Sequence, residues 1–375
     1  MGGSCGVSKK NLDHVQLPER SVESAYGIGK YFLPADTSPK GFERLKEWKE
    51  MLGTAQVERA AFAKLLDTPY GLLQLQGRVW EGVPPHYRWW SWLALKNLLY
   101  TDSNRYTTLV LGPSDSVVYK DINRTFPEHP YFQNVKSGAQ AALSRILSKY
   151  EAAHPQVGYC QGMNYVAGLL LMVSGGDECE TYEMFCSILE KNLCQMYTEG
   201  MPYLSKVNYA FDLLFAQALP DLHAHLHQQG VPQELWITKW FLTLFALNLP
   251  MAVTVRLWDH LLVRGELALH LIAIGILEHL RPTLMQLDIG GIAMAFNTLT
   301  ESCPSADQLF ELADNHKITP NQLAQAMQMT QPTVETLKSL DIVIDSTEGE
   351  GLVERLESLT SAKLRDLSDL IKLKC

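Results

Sequence analysis

Apolar residues recur at helical spacing along most of this chain. Segments 134–152, 164–174, 181–197, 203–219, 233–247, 251–263 and 267–281 each carry an apolar stripe, with proline or glycine in the loops near their ends. The first shows the pattern best, since Val135, Ala139, Ala142, Leu143, Ile146, Leu147 and Tyr150 share one face. His154-Pro155 should end that helix, because the residue before proline is pushed out of the helical region. Two further stripes, 42–52 and 57–66, predict short helices that dock on the main body. Stretches suited to strands, 107–111 and 341–345, are short and isolated, and no repeat of solenoid period occurs. The pattern predicts an all-α protein built around one irregular helical domain.

The character of the chain changes past residue 303. Segment 306–315 still reads as packed, and Ile318-Thr319-Pro320 predicts a new helix with proline near its first turn. A polar link at 346–351 then leads to Leu352, Leu356, Leu359, Lys363, Leu367, Leu370 and Ile371. That terminal stripe could hold a partner or a second copy, but amphipathic stripes usually bury against their own core. The division that follows is a flexible N-terminus at 1–20, a helical leader at 21–77, a main domain at 78–310 and a helical extension at 311–375. Within the leader, Tyr26-Gly27-Ile28-Gly29-Lys30 approaches a phosphate-loop pattern, but its spacing is wrong and it reads as a turn.

Composition narrows the class. A hydrophobic fraction of 46% with 19% charged residues suits a well-cored globular protein. The formal net charge of -9 argues against a general nucleic-acid binder, which would carry a basic surplus. The richest apolar runs, 165–173 and 240–255, are too short or are interrupted by Thr243, Asn248 and Pro250. A membrane span needs roughly 20 mostly apolar residues, and no secretory signal is expected. Seven cysteines without a CxxC pair suit a reducing, cytoplasmic setting. Gly2 and Cys5, with Lys9 and Lys10 nearby, offer an acylation site that would give peripheral contact with an endomembrane or the plasma membrane. Gly6 stands where that pattern wants Ser or Thr, and an unmodified, flexible terminus is the plainer alternative.

Two short strings carry the candidate chemistry. One runs from Val118 through Asp121 and Arg124 to Pro127; the other is Gly158-Tyr159-Cys160-Gln161-Gly162-Met163-Asn164. Each presents a planar, multi-donor side chain, the Arg124 guanidinium and the Gln161 carboxamide. Phosphoryl transfer from a nucleoside triphosphate to water uses both kinds of group, a cation to neutralise spreading charge and a carboxamide to orient the attacking water. The plainer readings are an i,i+3 surface ion pair between Asp121 and Arg124, worth roughly 0.2–0.5 kcal/mol, and a turn residue at Gln161 satisfying backbone groups. His223, His225 and His227 alternate, with 223 and 227 on one helical face. Without a cysteine or an HExxH pattern they read as a solvated face, and no metal is expected. Cys160 has no base supplied by the sequence and reads as a packing residue.

These strings resemble the TBC domains, the Rab GTPase-activating family. Val118 to Arg124 is similar to its IxxDxxR motif, with valine for isoleucine, and Tyr159 to Met163 is similar to its YxQGM motif. Upstream, Gly82-Val83-Pro84 with Arg88 and Trp92 resembles the domain's opening; Trp240, Phe241, Phe245, Pro250, Trp258 and Asp259 resemble its later helical signature. The resemblance covers roughly residues 78 to 303 and implies an all-α fold of two helical subdomains. It implies that Arg124 and Gln161 are an arginine finger and a glutamine finger offered in trans to a GTP-bound Rab. Asp121, Tyr159, Gly162 and Met163 would support them, and Gly82, Pro84, Arg88, Trp92, Trp258 and Asp259 would be structural. GTP and Mg²⁺ would belong to the partner, leaving this chain without a cofactor of its own, and the setting would be vesicle trafficking. The alternative is a catalytically silent scaffold of the same fold that binds a GTPase or a membrane.

Overall fold

The computed structural model describes residues 39–53, 59–112, 117–133, 138–190, 192–299 and 303–329, and among them every regular element is helical. Gly2, Cys5, the 26–30 turn, the 341–345 run, the 346–351 link and the terminal leucine stripe lie outside the described residues.

Most predicted stripes become helices near their expected bounds: Pro39–Leu52, Arg59–Leu66, Ala139–Ala153, Met163–Val173, Pro202–Ala218, Met251–Arg264 and Leu267–Leu284. His154 caps the Ala139–Ala153 helix, as the following proline requires. The 107–111 run, set aside as too short and isolated for a strand, begins in the short Ser103–Thr108 helix, whose first turn is capped by the Asp102 carboxylate. Two expectations are corrected. The 181–197 stripe divides into Glu178–Leu189 and a 3-10 turn, Leu193–Tyr197. The 233–247 stripe stops after Glu234–Leu242, because Leu244 and Phe245 take left-handed φ of 45° and 64°. That break releases two carbonyls that an unbroken helix would consume. Leu242 O accepts from the Tyr197 hydroxyl at 2.9 Å, and Leu244 O accepts from the Trp258 indole N–H at 2.9 Å.

The leader's described part docks as expected. Trp48 stacks on Tyr87 with centroids 5.4 Å apart, and its indole N–H donates to Gly82 O at 2.9 Å. Arg59 pairs with Glu180, which also accepts from the Trp89 indole at 2.6 Å. Val83 and Pro84 lead into Pro85–Leu95, which has proline at its first position and is buried from Tyr87 to Ala94.

A buried carboxylate joins that helix to Met251–Arg264. Asp259 Oδ1 accepts from Trp92 Nε1 at 2.8 Å and from Arg88 Nε at 3.1 Å, while Arg88 Nη2 reaches Asp259 Oδ2 at 3.3 Å and Val83 O at 2.8 Å. Burying this charge is tolerable because donors meet both oxygens.

The longest described helix, Leu267–Leu284, is long and apolar enough to cross a bilayer, yet 72% of it is buried within the fold. It is a core helix. The Ala306–Asp314 helix lies against it so closely that a Cβ at Gly275 would fall 2.1 Å from Leu309 O. Capping boxes at Ser305 and Thr319 start Ala306–Asp314 and Pro320–Gln328.

Candidate functional site

The two candidate strings meet on the Met163–Val173 helix. Val118–Ile122 is a single helical turn, buried at Val118, Asp121 and Ile122, and it packs against both Ala139–Ala153 and Met163–Val173. Arg124 follows in the turn that leaves it. The other string is the loop entering Met163–Val173, with left-handed φ at Gly158 (68°) and Gly162 (112°). A Cβ at Gly162 would sit 2.8 Å from Leu242 O. Glycine there lets the Gln161 loop lie directly on the broken end of the Glu234–Leu242 helix.

One buried carboxylate links the strings. Asp121, 2% exposed, forms an ion pair with Arg124, Nη2 lying 2.6 Å from Oδ1, and accepts from the Tyr159 hydroxyl at 2.6 Å through Oδ2. Burial and the adjoining Asp121 carboxylate push the Tyr159 phenol far above its usual range, so it remains a donor. The pair is therefore not a surface ion pair. The Arg124 side chain is 25% exposed, which leaves guanidinium donors open to solvent.

A second brace runs through residues that sequence reasoning gave no role. Asn164 Nδ2 donates to Thr125 Oγ1 at 2.9 Å, and Asn164 Oδ1 accepts from the Gly162 N–H at 3.0 Å. Thr125 in turn donates to Asp121 O at 2.8 Å, and the Tyr165 hydroxyl donates to Arg124 O at 3.1 Å. An asparagine at the start of the apolar 165–173 run was the available signal. Met163 is buried, and its sulfur accepts from the Cys160 N–H at 3.4 Å. Gln161 is half-buried, and among the described residues no hydrogen bond engages its carboxamide.

The remaining candidates separate clearly. Burial first, then Asp121, raises the Cys160 thiol to about 11, which keeps it a neutral packing group. Gly82, Pro84, Arg88, Trp92, Trp258 and Asp259 all sit in the helix-packing contacts described above. The solvated histidine face is corrected: His225 Nε2 lies 3.1 Å from Leu287 O, and half-buried His223 lies 2.9 Å from Asp212, a carboxylate on the preceding helix.

Comparison with known proteins agrees with this architecture. A family model described as the Rab-GTPase-TBC domain matches residues 87–285. The Rab GTPase-activating protein eat-17 of Caenorhabditis elegans is 28% identical over 304 residues, 78% of this chain and 33% of its own length. The human Ecotropic viral integration site 5 protein homolog is 26% identical over 300 residues, 77% of this chain and 36% of its own. The chain thus spans about a third of the length of these curated relatives. Among solved structures, the Chlamydomonas flagellar RabGAP TBC domain superposes with a TM-score of 0.63 at 23% identity, covering 75% of this chain and 93% of that one. The Ypt/Rab-GAP domain of Gyp1p gives 0.60 at 18% identity, covering 76% and 99%. At those identities the two structures speak for the fold.

Proposed function

The chain belongs to the Rab-GTPase-TBC domain family, and we propose that it accelerates GTP hydrolysis by a Rab-type small GTPase, in the setting of vesicle trafficking. A GTP-loaded partner docks over the two linked loops. Arg124 reaches the transferred phosphoryl and offsets the negative charge that spreads over its oxygens, while Gln161 orients the attacking water. Nucleotide and Mg²⁺ stay with the partner, so the chain lends side chains and holds no cofactor for the reaction.

The observation that carries this reading is the carboxylate shared between the strings. Asp121 holds Arg124 on one oxygen and Tyr159, two residues from Gln161, on the other. Groups needed on either side of a single phosphorus must keep a fixed spacing, and a common buried anchor supplies one.

The test is single-turnover GTP hydrolysis across a panel of purified Rabs, with the wild-type chain beside Arg124→Ala. In Ras-type GTPases an arginine finger contributes about 10³–10⁵ in rate. Stimulation of one or a few Rabs, lost in the variant, supports the proposal. Equal stimulation by both proteins overturns the role of Arg124, and binding with flat rates in both points to a silent scaffold.

A further inference from the structure

We infer that Asp212, His223 and His227 form a binding site for a divalent first-row transition ion, outside the two finger loops. His223 and His227 stand one turn apart on Pro220–Gln228, and Asp212 comes from Pro202–Ala218, the helix before it. Their three ligand atoms all lie within 4.8 Å of one another.

The arrangement around one nitrogen is the central point. His223 Nε2 is 2.9 Å from Asp212 Oδ1 and 3.3 Å from His227 Nε2. A neutral imidazole nitrogen is either a donor or an acceptor. If it donates to Asp212, it cannot also accept from His227, so hydrogen bonding serves only one of the two contacts well. A cation between the three atoms serves every lone pair at once. The separation of the two histidine nitrogens also suits that occupant, because metal–nitrogen distances of 2.0–2.1 Å in a tetrahedron place neighbouring nitrogens about 3.3 Å apart.

The backbone under these ligands is fixed from several sides. Asp221, at the start of the helix, pairs with Arg281 at 2.6 Å, and His225 faces Leu287 O at 3.1 Å. The His223 ring meets the edge of buried Phe215 with centroids 5.1 Å apart. His227 is exposed, so an ion can enter from solvent. Two imidazoles and one carboxylate suit zinc and its neighbours in the first transition row better than calcium or magnesium. Three protein ligands leave a further position for water. The bound ion would tie Pro202–Ala218 to Pro220–Gln228 across the Leu219 corner and stabilise the folded chain.

The experiment uses the full chain, freed of metal with a chelator and titrated with Co²⁺, then with Zn²⁺ in competition. One equivalent of Co²⁺ should develop visible d–d absorption without a thiolate charge-transfer band, and Zn²⁺ should displace it and raise Tm. His227→Ala, at an exposed position, and Asp212→Asn should each weaken binding at least about tenfold and abolish the Tm rise. A thiolate band would assign the metal to the cysteines and overturn the site. Equal binding by wild type and both variants, or no saturable binding at micromolar metal, would overturn it as well.

Discussion

Two arginine–aspartate pairs in this protein are built from nearly the same parts and differ in how far the arginine is enclosed. Each aspartate is buried, and each accepts one further hydrogen bond from an aromatic donor: the Trp92 indole on Asp259, the Tyr159 hydroxyl on Asp121. The arginines differ. The Arg88 side chain is 7% exposed, and its guanidinium is committed to both Asp259 oxygens and to Val83 O. The Arg124 side chain is 25% exposed and forms an ion pair with Asp121, its Nη2 2.6 Å from Oδ1. A buried guanidinium tied through Nε and Nη2 to a carboxylate and a carbonyl holds helices together. One held by an ion pair and a quarter exposed can still offer donors, which is what recognition of a phosphoryl group requires.

The largest expected effect falls on the open pair. Arg124→Ala should reduce stimulated GTP hydrolysis by about 10³–10⁵, or about 4–7 kcal/mol of barrier. The chain should stay folded, because Asp121 keeps the Tyr159 hydroxyl and water can enter where the partly exposed side chain stood. Circular dichroism and a urea titration of the same preparation check that half of the claim; an unfolded variant would make the two pairs equivalent. The closed pair should respond in the opposite sense. Asp259→Ala strands Arg88 in the interior and should cost about 3–5 kcal/mol of stability. Urea midpoints measure this, and a loss below about 1 kcal/mol, ordinary for a surface pair, would show that the node is not structural.

Much of this contrast could be read from the chain, and the unreadable part has a physical cause. Arg124 and Gln161 stand in short unusual strings at the ends of strongly periodic helices, and local signals of that kind survive without a structure. Burial does not, so Asp121 and Arg124 at i,i+3 spacing read equally well as a solvent pair. The Asn164–Thr125 bond spans 39 residues and the Tyr165–Arg124 contact 41, distances at which periodicity carries no information. The end of the Glu234–Leu242 helix was hidden for another reason. Phe241 and Phe245 keep helical spacing, while the chain turns at Leu244 because Tyr197 and Trp258 take the released carbonyls. Asp212 was missed in the same way, since its histidine partners lie on a separate helix.

Acid should strike the closed node's surroundings before the open cradle. His260, next to Asp259, stacks on Phe310 with centroids 4.0 Å apart, and burial, then Arg256 and Arg264, lower its pKa to about 2. The unfolded imidazole takes a proton near pH 6.5, so between those values the unfolded chain binds more protons. Stability is therefore complete above about pH 6.5 and falls as pH drops, by up to about 1.4 kcal/mol per unit, or about 2 kcal/mol by pH 5. Urea midpoints at neutral pH and near pH 5 should show the fall, and His260→Phe should remove its share. His86 and His270, each lowered to about 4, would retain theirs. An unchanged slope in the variant would mean that His260 does not feel its burial.

The smallest expected effect is the most discriminating for the cradle. Tyr159→Phe removes one hydroxyl and leaves the ring in place. A hydrogen bond to a charged group contributes about 1.5–3 kcal/mol, and the lower end applies where solvent can replace the donor. If Tyr159 only packs the Gln161 loop, the phenylalanine variant should stimulate hydrolysis as the wild type does. If its bond to Asp121 sets the pose of Arg124, the maximal stimulated rate should fall about tenfold, as ~1.4 kcal/mol of barrier implies. The Rab concentration giving half-maximal rate should not move, because the hydroxyl points at Asp121 and not at a docking partner. A shift in that concentration at constant maximal rate would instead place Tyr159 in the docking surface. The anchor would then act on Arg124 alone, and the coupling between the two fingers would rest on the Asn164 brace.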